Sequence, residues 1–344
     1  MNSSDEEDVL ILLSLRRRRK RKRQSIWCRE HFLLRESRGE FQRTFLHLLD
    51  NPDEELFFNY TRMSYSTYNA LKSLVLGLLK PDHSNWRKSI SAEEKLIITL
   101  RCLATGASFS SMTVPFHMSR RSITRHIYQT CQVLWDVLQP LELKPPTKDQ
   151  WFKIARCFGD LWDFPFAVGA IDGKHIALNA PTKCGSMYYC YKGFPSIVLM
   201  AVRDADSCFI LVVCGKEDLQ LPTFTCKTNG ECAFGILAKK FEIFQGPLRV
   251  EPDKAVLLTN AALVLHNFIR RRDGRMVDRT SDVTYEVVKG QGRGMFPLEA
   301  PTHGGRPSAE AMAIRDSVKT FFNDPQGGTV PWQHENVFRN VIAN

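Results

Sequence analysis

The sequence lacks the cysteine patterns of zinc sites and of disulfide scaffolds. Its ten cysteines include no pair separated by two residues, and none pairs with histidine at zinc-ligand spacing. Several stand inside apolar runs, where a reduced cysteine behaves as a small hydrophobic side chain. The pattern therefore argues against a zinc centre and favours a reducing compartment.

The sequence also lacks an apolar run that could cross a membrane, which needs about 20 residues. Residues 9–15 are apolar but too few, and a cationic run follows them, whereas a secretory signal peptide places its charges first. We therefore expect no membrane contact. The sequence has no internal repeats, and it predicts no nucleotide cofactor.

Positive charge is abundant but concentrated in one place. The net charge is +10, and eight consecutive cations near the start account for most of it, since removing them leaves 10 − 8 = +2. The run comprises Arg16, Arg17, Arg18, Arg19, Lys20, Arg21, Lys22 and Arg23. Such a block is typical of a nuclear-import signal or a nucleic-acid-contacting arm, and the alternative is a solvated charge run. It predicts a protein of the nucleus, with the cytoplasm as a second compartment.

Composition along the 344 residues predicts five regions. They are a disordered acidic and basic arm over 1–26, a helical region over 27–80, a helix-turn-helix-like domain over 86–140, a strand-containing α/β domain over 151–272 and a loose tail over 273–344 with one helix. Residues 140–150, with two adjacent prolines, form a linker in this scheme.

The region 86–140 contains helix-capping signals. Ser91, with Glu94 three positions later, forms a capping box for a helix that ends at Gly106. A short segment then leads to Ser119, which can cap a second helix.

The second of these helices begins with a cluster of cationic and hydroxyl side chains. In a helix-turn-helix, such residues at the start of the second helix meet base edges in the major groove. The predicted DNA-contacting residues are Arg120, Arg121, Thr124 and Arg125, with Arg87, Lys88 and Lys95 as further phosphate contacts. A small three-helix unit without DNA function is the open alternative.

Residues 166–213 carry the most informative pattern. An apolar run ends at Asp172, and two further apolar runs, 197–202 and 208–213, flank a turn at 204–207. A strand, an exposed acid and then a β-hairpin begin a metal-dependent phosphoryl-transfer fold, because carboxylate oxygens at a strand end hold divalent cations. The alternative is that Asp172 and Gly173 form only a turn.

Two-metal phosphodiester chemistry needs three converging carboxylates. In a ribonuclease H-like layout, Asp172 suits the first position and Glu231 suits the third, in the first turn of an amphipathic helix. Lys174 and His175 would contact a scissile phosphate, or else solvate a strand edge. The metal would be Mg²⁺ or Mn²⁺.

The second carboxylate lacks a place in the sequence. Only 17 residues, 214–230, precede Glu231 after the third apolar run, too few for a helix, a strand and a further helix. Asp204 and Asp206 belong to the hairpin turn, which we expect at the opposite end of the sheet from Asp172. Asp218 is the best remaining candidate for a metal ligand.

These residues carry a family resemblance. The segments AIDGKHI, YYCYKGFPSIVLMAVRDAD, GECAFGILAKKF and VLHNFIR resemble the transposase-derived nucleases of the PIF/Harbinger type, which have a DDE superfamily endonuclease domain. ISAEEKLIITLRCLATGASFSSM resembles the helix-turn-helix region of that family, and VPWQ resembles its tail.

The resemblance implies an α/β, ribonuclease H-like catalytic domain behind an all-α helix-turn-helix-like domain. Asp172 matches the first catalytic acid of the family and Glu231 the last, and the family's central segment with the second acid has no counterpart here. The resemblance further implies DNA as substrate, a divalent metal and a separate DNA-binding protein as partner.

Three functions remain open at this point. The first is a metal-dependent nuclease-like protein acting on DNA, with activity impaired by loss of the second acid. The second is a catalytically inactive nuclear DNA-binding protein. The third is a non-functional product of a decayed element or of a faulty gene model.

Overall fold

A computed structural model describes residues 29–50, 53–80, 88–162, 164, 167–179, 188–190, 192–215, 233–274 and 294–297. The chain divides into two compact units, of which the first comprises Met1–Asp53 and Ser108–Arg125 and the second Glu54–Ala107 and His126–Asn344. The predicted arm over 1–26 and the predicted tail helix lie outside the described residues.

The first unit is helical in its described part. Its elements are α1 (Glu30–Leu33), α2 (Arg35–Arg38), a π-helical turn (Phe41–Phe45), α3 (Leu46–Asp50), a 3-10 turn (Ser111–Thr113) and the first residues of α7 (Arg120–Glu142). Phe41 and Phe45 are buried and stack with their ring centroids 5.6 Å apart. The His31 and His117 rings also stack, at 4.0 Å, and Nδ1 of His117 lies 2.7 Å from the His31 carbonyl oxygen.

The described part of the second unit combines helices with a sheet. Its described helices are α4 (Glu54–Thr61), α5 (Tyr65–Val75), α6 (Ala92–Thr105), the remainder of α7, α8 (Lys148–Trp162), α9 (Ala233–Lys240) and α10 (Pro252–Asp273), with 3-10 turns at Leu76–Leu78 and Glu242–Gln245. None of the helices in the described part of the chain is long and apolar enough to cross a membrane.

The ends of α6 confirm the capping signals in the sequence. The Ser91 side chain accepts a hydrogen bond from the Glu94 backbone N–H at 3.1 Å. Gly106 ends the helix in the left-handed region, with φ of 61°, and its N–H donates to the Cys102 carbonyl. A Cβ at Gly106 would lie 2.8 Å from the Glu242 carbonyl oxygen, so both the backbone angle and the close approach require glycine.

Within the described residues the sheet has four strands: β1 (Ala170–Ala177), β2 (Ser196–Arg203), β3 (Phe209–Gly215) and β4 (Met295–Pro297). Their order is β3-β2-β1-β4, and every pairing is antiparallel. The predicted β-hairpin is therefore confirmed as β2 and β3. Helices together with this sheet agree with the predicted α/β class.

Two expectations about Asp172 were wrong. The strand does not end at this acid. It continues to Ala177, because β2 pairs with β1 along its full length. Ala170 pairs with Arg203, the last residue of β2, so the β2–β3 turn lies at the same end of the sheet as Asp172. Because β2 runs antiparallel to β1 over eight residues, the C-terminal end of β2, where the turn begins, lies beside the N-terminal end of β1.

The segment before the sheet also differs from the prediction. Residues 140–150 were expected to be a linker, yet α7 continues through Pro140 to Glu142, and α8 begins at Lys148. Within α8, Phe158 is buried and packs with Ala170 and Ala205, while Ile154 and Trp162 lie against the same cluster. The 3.6-residue spacing of these apolar side chains indicates a helix.

The long helix α10 packs against the sheet. It contacts β2 and β3 and is buried on most of its circumference. Its C-terminal acid, Asp273, accepts hydrogen bonds from the Ser64 backbone N–H at 2.9 Å and from the Ser64 hydroxyl at 2.7 Å. The Thr67 hydroxyl donates to the same carboxylate, so α10 caps the N-terminus of α5.

Candidate functional site

The chemistry-bearing residues of β1 divide between the two faces of the strand. Asp172 and Lys174 are two residues apart, so they share one face, whereas Gly173 and His175 share the other. Lys174 Nζ lies 3.7 Å from Asp172 Oδ2, and Oδ1 accepts the Gly173 backbone N–H at 2.8 Å. The carboxylate therefore has a cation within ion-pair distance on its own strand.

This ion pair is partly open to solvent. The Asp172 side chain is 32% exposed and the Lys174 side chain 20%. Their β2 partners in the register, Ala201 and Leu199, are buried. At this exposure the pair contributes about 1 kcal/mol or less to stability. A cation that bound Asp172 would have to compete with Lys174.

His175 does not suit the predicted phosphate contact. Its side chain is fully buried, and Nδ1 lies 3.1 Å from the Ser196 hydroxyl oxygen on β2. The Phe194 ring meets it edge-on, with the centroids 6.4 Å apart. In this arrangement His175 is part of the packing between strands, so the expectation that it touches a phosphate is wrong.

The described residues supply one carboxylate for a metal at this face. Nowhere in the described ranges do three histidine, cysteine or acidic side chains gather as a metal site would require. Glu231 and Asp218, the other predicted ligands, lie outside the described residues. Asp172 alone, with Lys174 beside it, does not make the three-carboxylate centre that two-metal chemistry uses.

The predicted DNA-contacting residues lie at the start of α7, in the first unit. Ser119 Oγ accepts the Ser122 backbone N–H at 3.1 Å, which confirms Ser119 as the cap. Ile123 is fully buried and fixes the rotation of this turn, which leaves Arg120, Arg121 and Arg125 exposed. The Thr124 hydroxyl donates to the Arg120 carbonyl of its own helix.

The remaining predicted cations have different outcomes. Lys95 was expected at a phosphate, but it is buried in the second unit and its ammonium donates to the Lys80 carbonyl at 2.7 Å. That expectation is wrong, because a buried and bonded ammonium does not reach DNA. The cationic run Arg16–Arg23 and Arg87 lie outside the described residues.

A cluster around the β2–β3 turn was not anticipated from the sequence. Asp204 Oδ1 accepts the backbone N–H groups of Asp206 at 2.9 Å and Cys208 at 2.8 Å. Burial raises the pKa of Asp204 above its ordinary value, although these bonds and the Arg271 charge oppose the shift. The acids Asp204 and Asp206 therefore organise a turn rather than a metal site.

Helix α10 holds this turn in place. Nε2 of His266 lies 2.9 Å from the Ser207 carbonyl oxygen, and Arg270 Nε donates to the Asp206 carbonyl at 2.7 Å. The Asn267 amide donates to the Phe209 carbonyl at 2.7 Å and accepts the Phe209 N–H at 2.8 Å. We call His266, Asn267 and Arg270 the turn clamp. The sequence signal for it was the VLHNFIR segment, whose polar residues stand within an otherwise apolar helix.

Comparison with known proteins gives one partial similarity. The chain is 28% identical over 182 residues to the protein Antagonist of Like Heterochromatin Protein 1 from Arabidopsis thaliana. The similarity covers 48% of this chain and 43% of the plant protein, so the chain spans less than half the length of the curated relative it matches. No family model matches the sequence. No solved structure matches it either.

Proposed function

We propose that this chain is a transposase-derived nuclear protein that binds DNA through the start of α7 and has little or no nuclease activity. The observation that carries the proposal is the block of motifs around Asp172, which stands on the first strand of an antiparallel β1-β2-β3 succession followed by helices. This succession is what a ribonuclease H-like domain of the DDE type requires at its beginning. The partial similarity to the plant protein agrees with such an origin.

Two features of the second unit argue against efficient catalysis. Between the end of β3 and the described start of α9 there are 232 − 215 = 17 residues. A strand with the second acid and its connections needs more chain than that. The second feature is the strand beside β1, because the second acid of a ribonuclease H-like site follows the fourth strand. Here that strand is β4, which is antiparallel and three residues long.

Lys174 is consistent with loss of catalysis. In a working two-metal site the metal charge neutralises the clustered carboxylates. Here an ammonium on the same strand lies within ion-pair distance of Asp172. The strand therefore keeps the acid electrostatically balanced without a metal, and the sheet is retained as a scaffold.

DNA binding rests on the three exposed arginines of α7 and on the cationic run Arg16–Arg23. Both attract the phosphate backbone, and each contact releases counterions, so the affinity falls with salt. The name of the plant relative refers to antagonism of a heterochromatin protein. By analogy, this chain binds DNA and acts at chromatin, with a separate DNA-binding protein as its partner.

The binding proposal is tested by titrating fluorescent duplex DNA at several salt concentrations. The variant Arg120→Ala/Arg121→Ala/Arg125→Ala is expected to lower affinity and to reduce the salt slope by about 2 to 3, since each lost phosphate contact reduces it by about 0.9. The matched control is Lys148→Ala/Lys153→Ala/Arg156→Ala, which removes three exposed cations from α8. Equal affinities for the α7 variant and the intact protein would exclude this helix as the DNA surface.

The catalytic part is tested with supercoiled plasmid in Mg²⁺ and Mn²⁺. We expect no cleavage that disappears in Asp172→Ala or Glu231→Ala. Cleavage that vanishes in both variants would establish the second candidate, an active nuclease, in which Asp218 supplies the missing acid. The partial exposure of the Asp172 carboxylate is the observation that favours this candidate.

A decayed, non-folding product is the third possibility. It predicts a protein without a cooperative thermal transition. A soluble preparation with a single sharp transition, followed by circular dichroism, would exclude it.

A further inference from the structure

A cavity of about 460 Å³ lies between the C-terminal end of α7, helix α8 and the β2–β3 turn, all within the second unit. Neither Asp172 nor Lys174 lines it. Its volume falls within the range of about 300 to 1,000 Å³ that is common for ligand pockets. The cavity is therefore large enough to accept side chains from another molecule.

Part of the lining is apolar. Ile154 of α8 and Ile210 of β3 line the cavity, together with Leu141 near the end of α7. Leu141 is 53% exposed. A large apolar side chain that lines a cavity and stays exposed to water is more typical of an interaction surface than of ordinary protein surface.

The charged part of the lining consists of three cations and two acids. Lys144 and Lys153 line the cavity, are exposed and have no ion-pair partner within the described ranges. Arg271 also lines it, with Nη1 2.9 Å from Glu142 Oε2. The two acids of the lining belong to the turn: the Asp204 carboxylate accepts two backbone N–H groups, and Asp206 is exposed. The cavity thus offers unpaired ammonium groups beside apolar side chains.

Hydrogen bonds hold one wall of the cavity in place. The turn clamp bonds the Asp206 and Ser207 carbonyls, and the Asp204 carboxylate closes the turn from inside. A partner that enters such a cavity does not have to order this wall first, which reduces the entropic cost of binding.

We propose that this cavity binds a segment of another protein that carries acidic side chains beside large apolar ones. Acidic groups meet Lys144 and Lys153, and apolar groups enter between Leu141, Ile154 and Ile210. Nucleic acid suits the surface less well, because phosphates would leave the exposed Leu141 side chain in water. This site is separate from Asp172 and from the start of α7.

The test uses the full chain and three fluorescent probes. The first is a synthetic peptide of a dozen residues in which glutamate alternates with leucine and phenylalanine, the second has lysine in place of glutamate, and the third is a short DNA duplex. Binding is followed by fluorescence anisotropy. We expect saturable binding of the acidic peptide, at least about tenfold tighter than that of the lysine peptide.

The cavity variant is Lys144→Glu/Lys153→Glu, and its matched control is Lys148→Glu/Arg156→Glu, which changes the same charge on exposed residues that do not line the cavity. The cavity variant should weaken the acidic peptide at least about tenfold, and the control less than about twofold. Equal weakening in both variants, no saturation at about millimolar peptide, or DNA displacing the peptide from the cavity would each overturn the proposal.

Cys157 gives a second readout inside the same cavity. This half-buried cysteine lines it, so its alkylation by iodoacetamide can be followed by mass spectrometry of the peptide that contains it. The acidic peptide should slow alkylation of Cys157 in the intact protein and leave the rate unchanged in the cavity variant. Unchanged alkylation at saturating peptide would place the binding elsewhere and overturn the assignment.

Discussion

At the scale of single residues, sequence patterns predicted where helices begin and end better than they predicted what individual side chains contact. Ser91, Gly106 and Ser119 punctuate helices as expected, because capping depends on chemistry within a few residues. His175 and Lys95 were assigned to phosphates and are instead buried, since side-chain exposure depends on distant packing partners. Local signals carry no information about those partners.

The requirement for glycine at position 106 can be tested by substitution. Gly106→Ala should lower the free energy of unfolding by about 2 kcal/mol or more, because φ is positive and the new Cβ would meet the Glu242 carbonyl oxygen. Gly77→Ala is the control, since nothing lies within 4 Å of its Cβ position, and a change within about 0.5 kcal/mol is expected there. Urea unfolding midpoints measure both, and equal midpoints would show that Gly106 is not constrained.

His266 makes stability depend on pH. Burial lowers its pKa well below 6.5, and the Lys240 charge adds to the effect. The folded state therefore keeps His266 neutral, whereas the unfolded chain binds a proton below about pH 6.5. Its contribution to the free energy of unfolding should fall by up to about 1.4 kcal/mol per pH unit as the pH drops from 6.5.

The check compares urea unfolding of the intact protein and of His266→Gln between about pH 8 and pH 5. Glutamine does not titrate, so the variant should lose less stability on acidification, whatever its stability at the upper pH. Parallel pH profiles for the two proteins would show that His266 does not cause the acid sensitivity.

At the scale of elements, those with a strong apolar pattern could be predicted from the sequence, whereas an element defined by long-range pairing could not. The β2–β3 hairpin and α10 follow from apolar runs and a turn in the sequence. Helix α8 was missed, although Trp151, Ile154, Phe158 and Trp162 recur at helix spacing, because the prolines before it suggested a longer linker. Strand β4 has three residues, and only its distant partner β1 defines it.

The contact between α10 and the hairpin depends strongly on one amide. Asn267 is fully buried and bonds the Phe209 N–H, the Phe209 carbonyl and the Glu142 carbonyl. Asn267→Ala should lower the free energy of unfolding by about 3 kcal/mol, since buried polar groups lose their partners.

Asn260→Ala on the same helix is the matched control for this variant. It is half-buried, and a change within about 0.5 kcal/mol is expected. Hydrogen exchange at the Phe209 amide gives the local readout, with protection lost only in Asn267→Ala. Retained protection there would contradict the clamp.

At the scale of the whole molecule, charge distribution predicts location rather than fold. Deleting residues 16–23 removes eight of the ten net positive charges. In a fluorescent fusion of the full chain, this deletion should reduce the nuclear-to-cytoplasmic ratio to about one.

A matched control replaces the acids Asp5, Glu6, Glu7 and Asp8 with amides and should keep the fusion in the nucleus. If the deletion variant remained nuclear, another segment would have to provide the import signal. Imaging of the same fusions after a salt wash would separate import from retention on DNA, because retention weakens with ionic strength.

Strand β4 has a consequence for the order in which the second unit folds. It begins 295 − 177 = 118 residues after β1 ends, whereas β2 and β3 follow β1 closely. During synthesis the three-stranded part can form as soon as its own residues emerge, but the β4 side of β1 must wait for more than a hundred further residues. In that interval the backbone of Lys174, His175 and Ile176 has an unpaired edge. We therefore expect the nascent chain to be most prone to wrong strand pairing at this edge, next to Asp172.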